Sequence, residues 1–290
     1  MAETHYTPVV ILGAARSGTN MLRDMLTRLP GFATWDCDEI NPIWRHGNLD
    51  WPNDEIPPGR ATPKVSAYIR RAFDRIWRAS GKPEFVVEKT CANTLRVPFV
   101  DAVLPDARYL VLVRDGVDVV PSAMKRWRGD LEFPGMPYLL AKAKYAPISD
   151  LPRYALTSLK GRLGLMRGRE RLSTWGPRFS GIGDLTGAPL EELCARQWAA
   201  SVDAADLALA EIPPDRQFHL RYEDLTQAPA DWLGKILTFL GADATAPQIA
   251  DAAGIVQGGS VGKGRGRADI DLTGVLPLMQ PTLARHGYGG

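Results

Sequence analysis

The chain has 290 residues, 45% of them hydrophobic and 23% charged, with a formal net charge of +2 at pH 7. That composition is ordinary for a soluble globular protein and leaves no global field to recruit nucleic acid. Its three cysteines (Cys37, Cys91, Cys194), an odd count without metal-ligand spacing, suit a reducing cytoplasm and argue against a disulfide framework. No apolar run approaches the ~20 residues that span a bilayer. The N-terminal "MAETHYTPVV" lacks a basic segment followed by an apolar one, so the expectation is a cytoplasmic protein. Val9–Leu12 is a short apolar run ending at Gly13, the pattern of a buried strand. Thr19–Leu29 carries Met21, Leu22, Met25, Leu26 and Leu29 at helical spacing and stops at Pro30–Gly31. Residues 47–64 are rich in Pro, Gly, Asn and Asp and read as loop, and Val65–Ala79 reads as an amphipathic helix. Glu84–Lys89 and Arg108–Asp115 are two more strands. Gly116–Trp127 looks helical, with Pro121 tolerable only in a first turn. The stretch from about 134 to 187 breaks the rhythm and reads as a helical insertion in a single domain spanning 1–290. Glu191–Ala210 is a long helix, "FHLRYEDL" (Phe218–Leu225) a fourth strand and Ala230–Leu240 a helix. This alternation implies an α/β fold, a central mostly parallel sheet with helices on both faces.

Chemistry is concentrated in two places. Gly13 and Gly18 bracket four residues between the first strand and the first helix. A strand–loop–helix unit aims backbone N–H groups and the positive end of a helix dipole at one point, which suits a phosphate or sulfate. Arg16 and Ser17 are anion-binding side chains inside it, and Thr19 and Asn20 can cap the helix or donate to an oxygen. A triphosphate-binding loop would place Lys and then Ser or Thr after the second glycine, and here Thr19 and Asn20 stand there instead. No acidic strand end offers a magnesium ligand. A simple turn is the plain alternative. In "VLVRDGVDVVPSAMKRW", Arg114 ends a strand, Ser122 follows eight residues later and Arg126 lies one helical turn further. These three can converge on a second phosphate, or be an ordinary exposed arginine and a helix serine.

"GAARSGTNML" resembles the 5′-phosphosulfate loop of the sulfotransferase family, and "RDGVDVVPSAMKRW" resembles that family's 3′-phosphate motif. "EKTCAN" (Glu88–Asn93) is similar to the Glu-Lys-Ser/Thr segment beside the acceptor site, and "LRYEDLTQAP" (Leu220–Pro229) to a Tyr-Glu-Asp-Leu segment ahead of a C-terminal helix. The resemblance runs from residue 9 to about 265 and leaves out 134–187. It implies a three-layer P-loop-like fold and 3′-phosphoadenosine 5′-phosphosulfate (PAPS) as cofactor, with 3′,5′-ADP as product. It implies that Arg16, Ser17, Gly18, Thr19 and Asn20 hold the 5′-phosphosulfate, and that Arg114, Ser122 and Arg126 hold the 3′-phosphate. Tyr222 matches a residue that helps enclose the nucleotide, with a core tyrosine as the alternative. "GGSVGKGRGR" (Gly258–Arg267) is similar to a basic glycine loop closing over the cofactor, with Lys263 preferred and Arg265 beside it; a solvated charge run is the other reading.

Sulfuryl transfer needs an in-line acceptor oxygen, a base for its proton and positive charge around the oxygens that load up. The four histidines (His5, His46, His219, His286) are scattered and no C-x-x-C occurs, so no metal is expected. In "LPGFATWDCDEINPIW", Glu39 best matches the glutamate base of the protein-tyrosine branch, with Asp36 and Asp38 close by. Glu88 is the second candidate and His46 the third. Lys89 can neutralise charge on the sulfuryl oxygens or be a salt-bridged strand-end lysine. The acceptor is read as a hydroxyl of a carbohydrate, glycolipid or related metabolite, with Trp35, Trp44, Trp51 and Trp175 available to stack on rings. Residues 153–178 carry Arg153, Lys160, Arg162, Arg167, Arg169, Arg171 and Arg178 against Glu170 alone, with Leu156, Leu159, Leu163 and Met166 on one helical face. That stretch is a helical lid with its charges in water, or a basic wall for an anionic acceptor or a membrane surface. The function class left open beside the transferase is a P-loop-like nucleotide-binding protein or a kinase-like phosphotransferase.

Overall fold

The structure, a computed structural model, describes residues 5–129, 144–145, 147–150, 172, 174–256, 259, 261–264 and 272–289. The basic run 153–171, its apolar stripe, Arg265 and Arg267 lie outside the described residues. Five strands, β1 (Thr7–Leu12), β2 (Phe32–Ala33), β3 (Phe85–Lys89), β4 (Arg108–Val113) and β5 (Gln217–Arg221), form one sheet in the order β2-β3-β1-β4-β5. Every pairing is parallel, with Val9 opposite both Val87 and Arg108, and Tyr109 opposite Gln217. The inner strands are apolar at successive positions because both faces are covered. Along β1, Val9 and Ile11 enter one core and Val10 and Leu12 the other.

The first core packs the sheet against α1 (Thr19–Thr27) and α8 (Pro229–Leu240) through Leu22, Met25, Leu26, Leu233, Ile236 and Leu237. The second packs it against α3 (Pro63–Ala79), α4 (Val97–Val103), α5 (Gly116–Arg128), α6 (Leu190–Leu209) and α10 (Leu276–Arg285). The remaining helices are α2 (Asn41–Arg45), α7 (Tyr222–Gln227) and α9 (Ala246–Ala253). Among the described residues, no helix is long and apolar enough to cross a membrane.

Three local expectations are corrected. The strand read over Phe218–Leu225 ends at Arg221, and Tyr222 opens α7. Glu223 and Asp224 in the first turn suit the positive end of that short helix. Pro121 lies inside α5, past its first turn, and the helix continues through it to Arg128. Residues 47–64 hold a 3₁₀ turn at Pro58–Arg60 and the start of α3, which Thr62 caps by accepting from Val65 N at 3.4 Å.

A buried polar network ties the sheet's end to a distant segment. Asp54, 1% exposed, accepts from Arg45 Nη1 at 2.9 Å and from the Arg178 backbone N–H at 2.9 Å. The Arg96 guanidinium stands 3.7 Å away, so the charge is surrounded by arginines that hold its pKa below the usual carboxylate range against the cost of burial. Ser180 N donates to Glu55 at 2.8 Å, and Leu172 N donates to the Trp127 carbonyl at 2.8 Å.

Candidate functional site

β1 and β4 are neighbours, and the chain leaves them toward opposite faces, to α1 and to α5. In a parallel sheet a crevice opens beyond the carboxyl ends of two such strands. Local sequence shapes both rims. A Cβ on Gly13 would lie 2.7 Å from the Leu112 carbonyl oxygen, so only glycine lets the loop leave β1 this close to β4. Gly18, at φ +90°, is the N-cap of α1, and a Cβ there would meet the Tyr222 ring at 2.5 Å. Thr19 and Asn20 do not cap the helix, which begins without a side-chain cap and without an acid in its first turn. Its positive end is therefore open to an anion. Ser17 is fully buried beside it, and its hydroxyl has no hydrogen-bond partner among the described residues.

The two sequence motifs meet through their side chains. Arg16, at φ +73°, donates from Nε to Ser122 Oγ at 2.9 Å. Arg114 Nη1 donates to the Arg16 carbonyl at 3.2 Å. The Arg114 guanidinium also lies 4.3 Å from the centre of the Tyr222 ring, which is 4% exposed. Arg16 keeps solvent access, yet partial desolvation lowers its pKa, and the like charges of Arg126 and then Arg114 push the same way. Arg16 and Arg114 lie together beside an open helix N-terminus, with Arg126 within electrostatic reach of Arg16, and like charges so placed repel one another and gain from an anion. Arg16, from the first motif, is thus tied directly to Ser122 and Arg114, from the second. Asn20 is exposed, and Thr19 lies inward with Oγ1 3.7 Å from Cys91 Sγ. Lys263 is exposed on its loop.

The acidic loop after α1 docks on the end of β3. Lys89 Nζ donates to Glu39 Oε1 at 3.0 Å, and Cys91 N donates to the same oxygen at 3.3 Å. Ile40 N donates to Thr90 Oγ1 at 3.2 Å, and Arg23 in α1 donates to the Asp38 carbonyl at 3.1 Å. Burial alone would lower the pKa of Lys89, but Glu39 above all, with Cys91 and Asp38, raises it, so the ammonium is retained. Burial pushes the Cys91 thiol up to about 12, with Glu39 adding to it, so this sulfur stays protonated. Glu39 keeps 28% of its side chain exposed, whereas Glu88 is at 0%. Of the two carboxylates, Glu39 is therefore the one open to solvent. His46 pairs instead with Asp150 at 2.9 Å and packs at a tilt against the Tyr68 ring, and Asp36 pairs with Lys144 at 3.1 Å.

Glu88 accepts from Asn93 Nδ2 at 2.8 Å. Burial pushes its pKa up to about 7, while Thr90, Trp44, Arg96 and Lys89 pull the other way. The native state therefore holds this proton where the unfolded chain has lost it. The stabilisation is complete below the unfolded value near 4.5 and is lost as pH rises through about 7. Glu88→Gln is expected to flatten the fall of Tm between about pH 5 and 8. An unaltered slope in the variant would count against a protonated Glu88.

Two of the tryptophans read as ring-stacking surfaces are core residues. Trp35 and Trp44 are 4% and 0% exposed and pack edge-on against Phe73. Trp51 and Trp175 are half-buried, under Arg60 and against Trp127 respectively. The sequence reading missed Arg23, the Cys91 N–H and Asp118. For Asp118 a signal existed, since it falls midway between Arg114 and Ser122 on one helical face. Among the described residues, no group of three or more His, Cys, Asp or Glu is arranged to hold a metal.

The model of the sulfotransferase family matches residues 8–136 and 171–246. No curated protein matches the chain in sequence. Among solved structures, the fold is similar to a sulfotransferase domain from the curacin biosynthetic pathway, at 14% identity and TM-score 0.56, over 96% of this chain and 98% of that one. It is similar to the sulfotransferase domain of the Synechococcus PCC 7002 olefin synthase, at 16% identity and TM-score 0.55, over 98% and 97%. It is also similar to sulfotransferase STF9 from Mycobacterium avium, at 12% identity and TM-score 0.54, over 98% and 77%.

Proposed function

The chain belongs to the sulfotransferase family, and from that premise we propose that it moves a sulfuryl group from PAPS to a hydroxyl of an acceptor. The observation that carries the choice of cofactor is the gathering of Arg16, Arg114 and Arg126 around an uncapped helix N-terminus with the unpartnered, buried Ser17 hydroxyl. This is a rim for a ligand with separated anionic groups. When bound, PAPS supplies the sulfuryl group and leaves as 3′,5′-ADP.

In this reading the loop N–H groups, Ser17, Thr19 and Arg16 hold the 5′ end, with Asn20 at the rim. Arg114, Ser122 and Arg126 hold the 3′-phosphate, Tyr222 closes one wall, and Lys263 and Arg265 add charge from their loop. Glu39 takes the acceptor proton on Oε2, the oxygen that neither Lys89 nor the Cys91 N–H occupies. Lys89 stands beside it and offsets negative charge that grows on the transferring oxygens. The acceptor we propose is a hydroxyl of a carbohydrate, glycolipid or related metabolite, with residues 134–187 as the insertion on its side. The gap between the two matched blocks, residues 137–170, falls within that insertion. With Trp35 and Trp44 in the core, ring stacking falls to Trp51 and Trp175, so an acceptor screen with labelled PAPS should include aryl and aliphatic alcohols.

A thermal-shift comparison tests the cofactor. A nucleotide at about 100 times its Kd adds roughly 2.7 kcal/mol of stability by mass action. The expected result is a clear rise in Tm with 3′,5′-ADP and little with 5′-AMP or Mg-ATP. An equal rise with Mg-ATP would replace this reading with that of a nucleotide-binding protein or phosphotransferase.

A further inference from the structure

Asp118 is 6% exposed and sits in α5 four residues after Arg114 and four before Ser122. Both of its carboxylate oxygens accept backbone N–H groups from one remote loop, Gly262 N on Oδ2 at 2.7 Å and Gly264 N on Oδ1 at 2.6 Å. The same Oδ2 lies 3.9 Å from Arg114 Nη2. A second observation points to the same place. Pro121 has no N–H to donate to the Val117 carbonyl four residues back in the helix. A Cβ on Gly264 would stand 2.1 Å from that Val117 oxygen. The loop backbone therefore rests on the carbonyl that the proline leaves out of the helix ladder, and only glycine can come so near. Gly262 adds a φ of +73°, which a side chain would resist. Between the two gripped glycines stands Lys263.

We propose that Asp118 is a positioning residue, gripping the Gly262 and Gly264 N–H groups so that the backbone of Lys263 is fixed beside Arg114 and its ammonium serves the 3′-phosphate. The proposal rests on the PAPS reading above. It also accounts for a carboxylate in a basic rim. Alone, its charge would repel a phosphate, but here two N–H donors and the Arg114 guanidinium take it up. Asparagine could accept from one glycine but would turn its NH₂ toward the other N–H.

The test combines two measurements on the full chain. Affinity for 3′,5′-ADP and 5′-AMP is measured by calorimetry for the parent, Asp118→Asn, Lys263→Ala and the double variant. Hydrogen exchange of the 262–264 amides is followed in the same proteins without nucleotide. Asp118→Asn should weaken 3′,5′-ADP about tenfold, leave 5′-AMP within about twofold, and speed exchange of the loop amides at least about tenfold. The double variant should bind no worse than the weaker single variant, because Lys263 acts only from the gripped loop. Gly264→Ala is the second route to the same state, since it lifts the loop from Val117 with the carboxylate intact, and it should reproduce the loss. Parental exchange rates in Asp118→Asn would overturn the proposal, as would losses that simply add. A parent that binds no 3′,5′-ADP overturns the cofactor reading, and the exchange rates still decide whether Asp118 holds the loop.

Discussion

Glu39→Gln is expected to lower kcat by about 10²–10⁴ while binding 3′,5′-ADP like the parent. The glutamine carbonyl can still accept from Lys89 Nζ and the Cys91 N–H, so the loop keeps its place on β3. What is lost is an oxygen able to take a proton, a role that exists mainly in the transition state. The acidic limb of the pH–rate profile should disappear with it. Glu88→Gln is the matched control, because Glu88 is fully buried and cannot touch an acceptor. Near-parental turnover in Glu39→Gln would move the base elsewhere. So would a loss confined to Glu88→Gln with nucleotide binding preserved.

Arg114→Ala should weaken 3′,5′-ADP by about 10- to 100-fold, the equivalent of a charge-assisted contact of ~1.5–3 kcal/mol. Binding of 5′-AMP should change far less, since it lacks the 3′-phosphate. The surroundings of Arg114 sharpen the test. Its guanidinium holds the Arg16 carbonyl, faces the Tyr222 ring and lies beside Asp118. Arg114→Lys keeps the charge without the planar fork, so it should recover only part of the affinity. If both nucleotides weaken equally in the two variants, Arg114 shapes the loop and does not read the phosphate.

The sheet was legible because β1, β3 and β4 are apolar at successive positions, which a strand buried on both faces must be. The two residues of β2 carry no such signal and are a strand only by pairing with β3. The Phe218–Leu225 run misled because its apolar residues suit either state, and Glu223–Asp224 favoured a helix start over strand continuation. In the site, the glycine spacing and the Arg114–Ser122 interval are local, and sequence displays them. The Arg16–Ser122 bond and the grip of Asp118 on Gly262 and Gly264 join residues more than a hundred positions apart, and no periodicity encodes such partners. Trp35 and Trp44 failed as surface residues for a related reason. An aromatic near an acidic loop looks available until Phe73 of α3 is known to lie against it.

The hydrogen bond from Leu172 N to the Trp127 carbonyl joins the two sides of the stretch between them, and the Asp54–Arg178 and Glu55–Ser180 contacts fasten the returning side to the body of the protein. A segment whose two ends meet at a fixed clasp is an exchangeable part. For a flexible connection, closure entropy grows only with the logarithm of length, so that halving or doubling it changes the folding balance by just about 0.6 kcal/mol. The clasp draws on α5, on the residues around Asp54 and on the returning strand of chain, and none of its bonds involves Arg16, Ser17, Glu39, Lys89 or Arg114. A lineage, or an engineer, can therefore change the length of chain between residues 150 and 172 and keep the clasp, provided that Asp54, Glu55, the 172–180 anchor and the Lys144–Asp36 and Asp150–His46 pairs stay as they are.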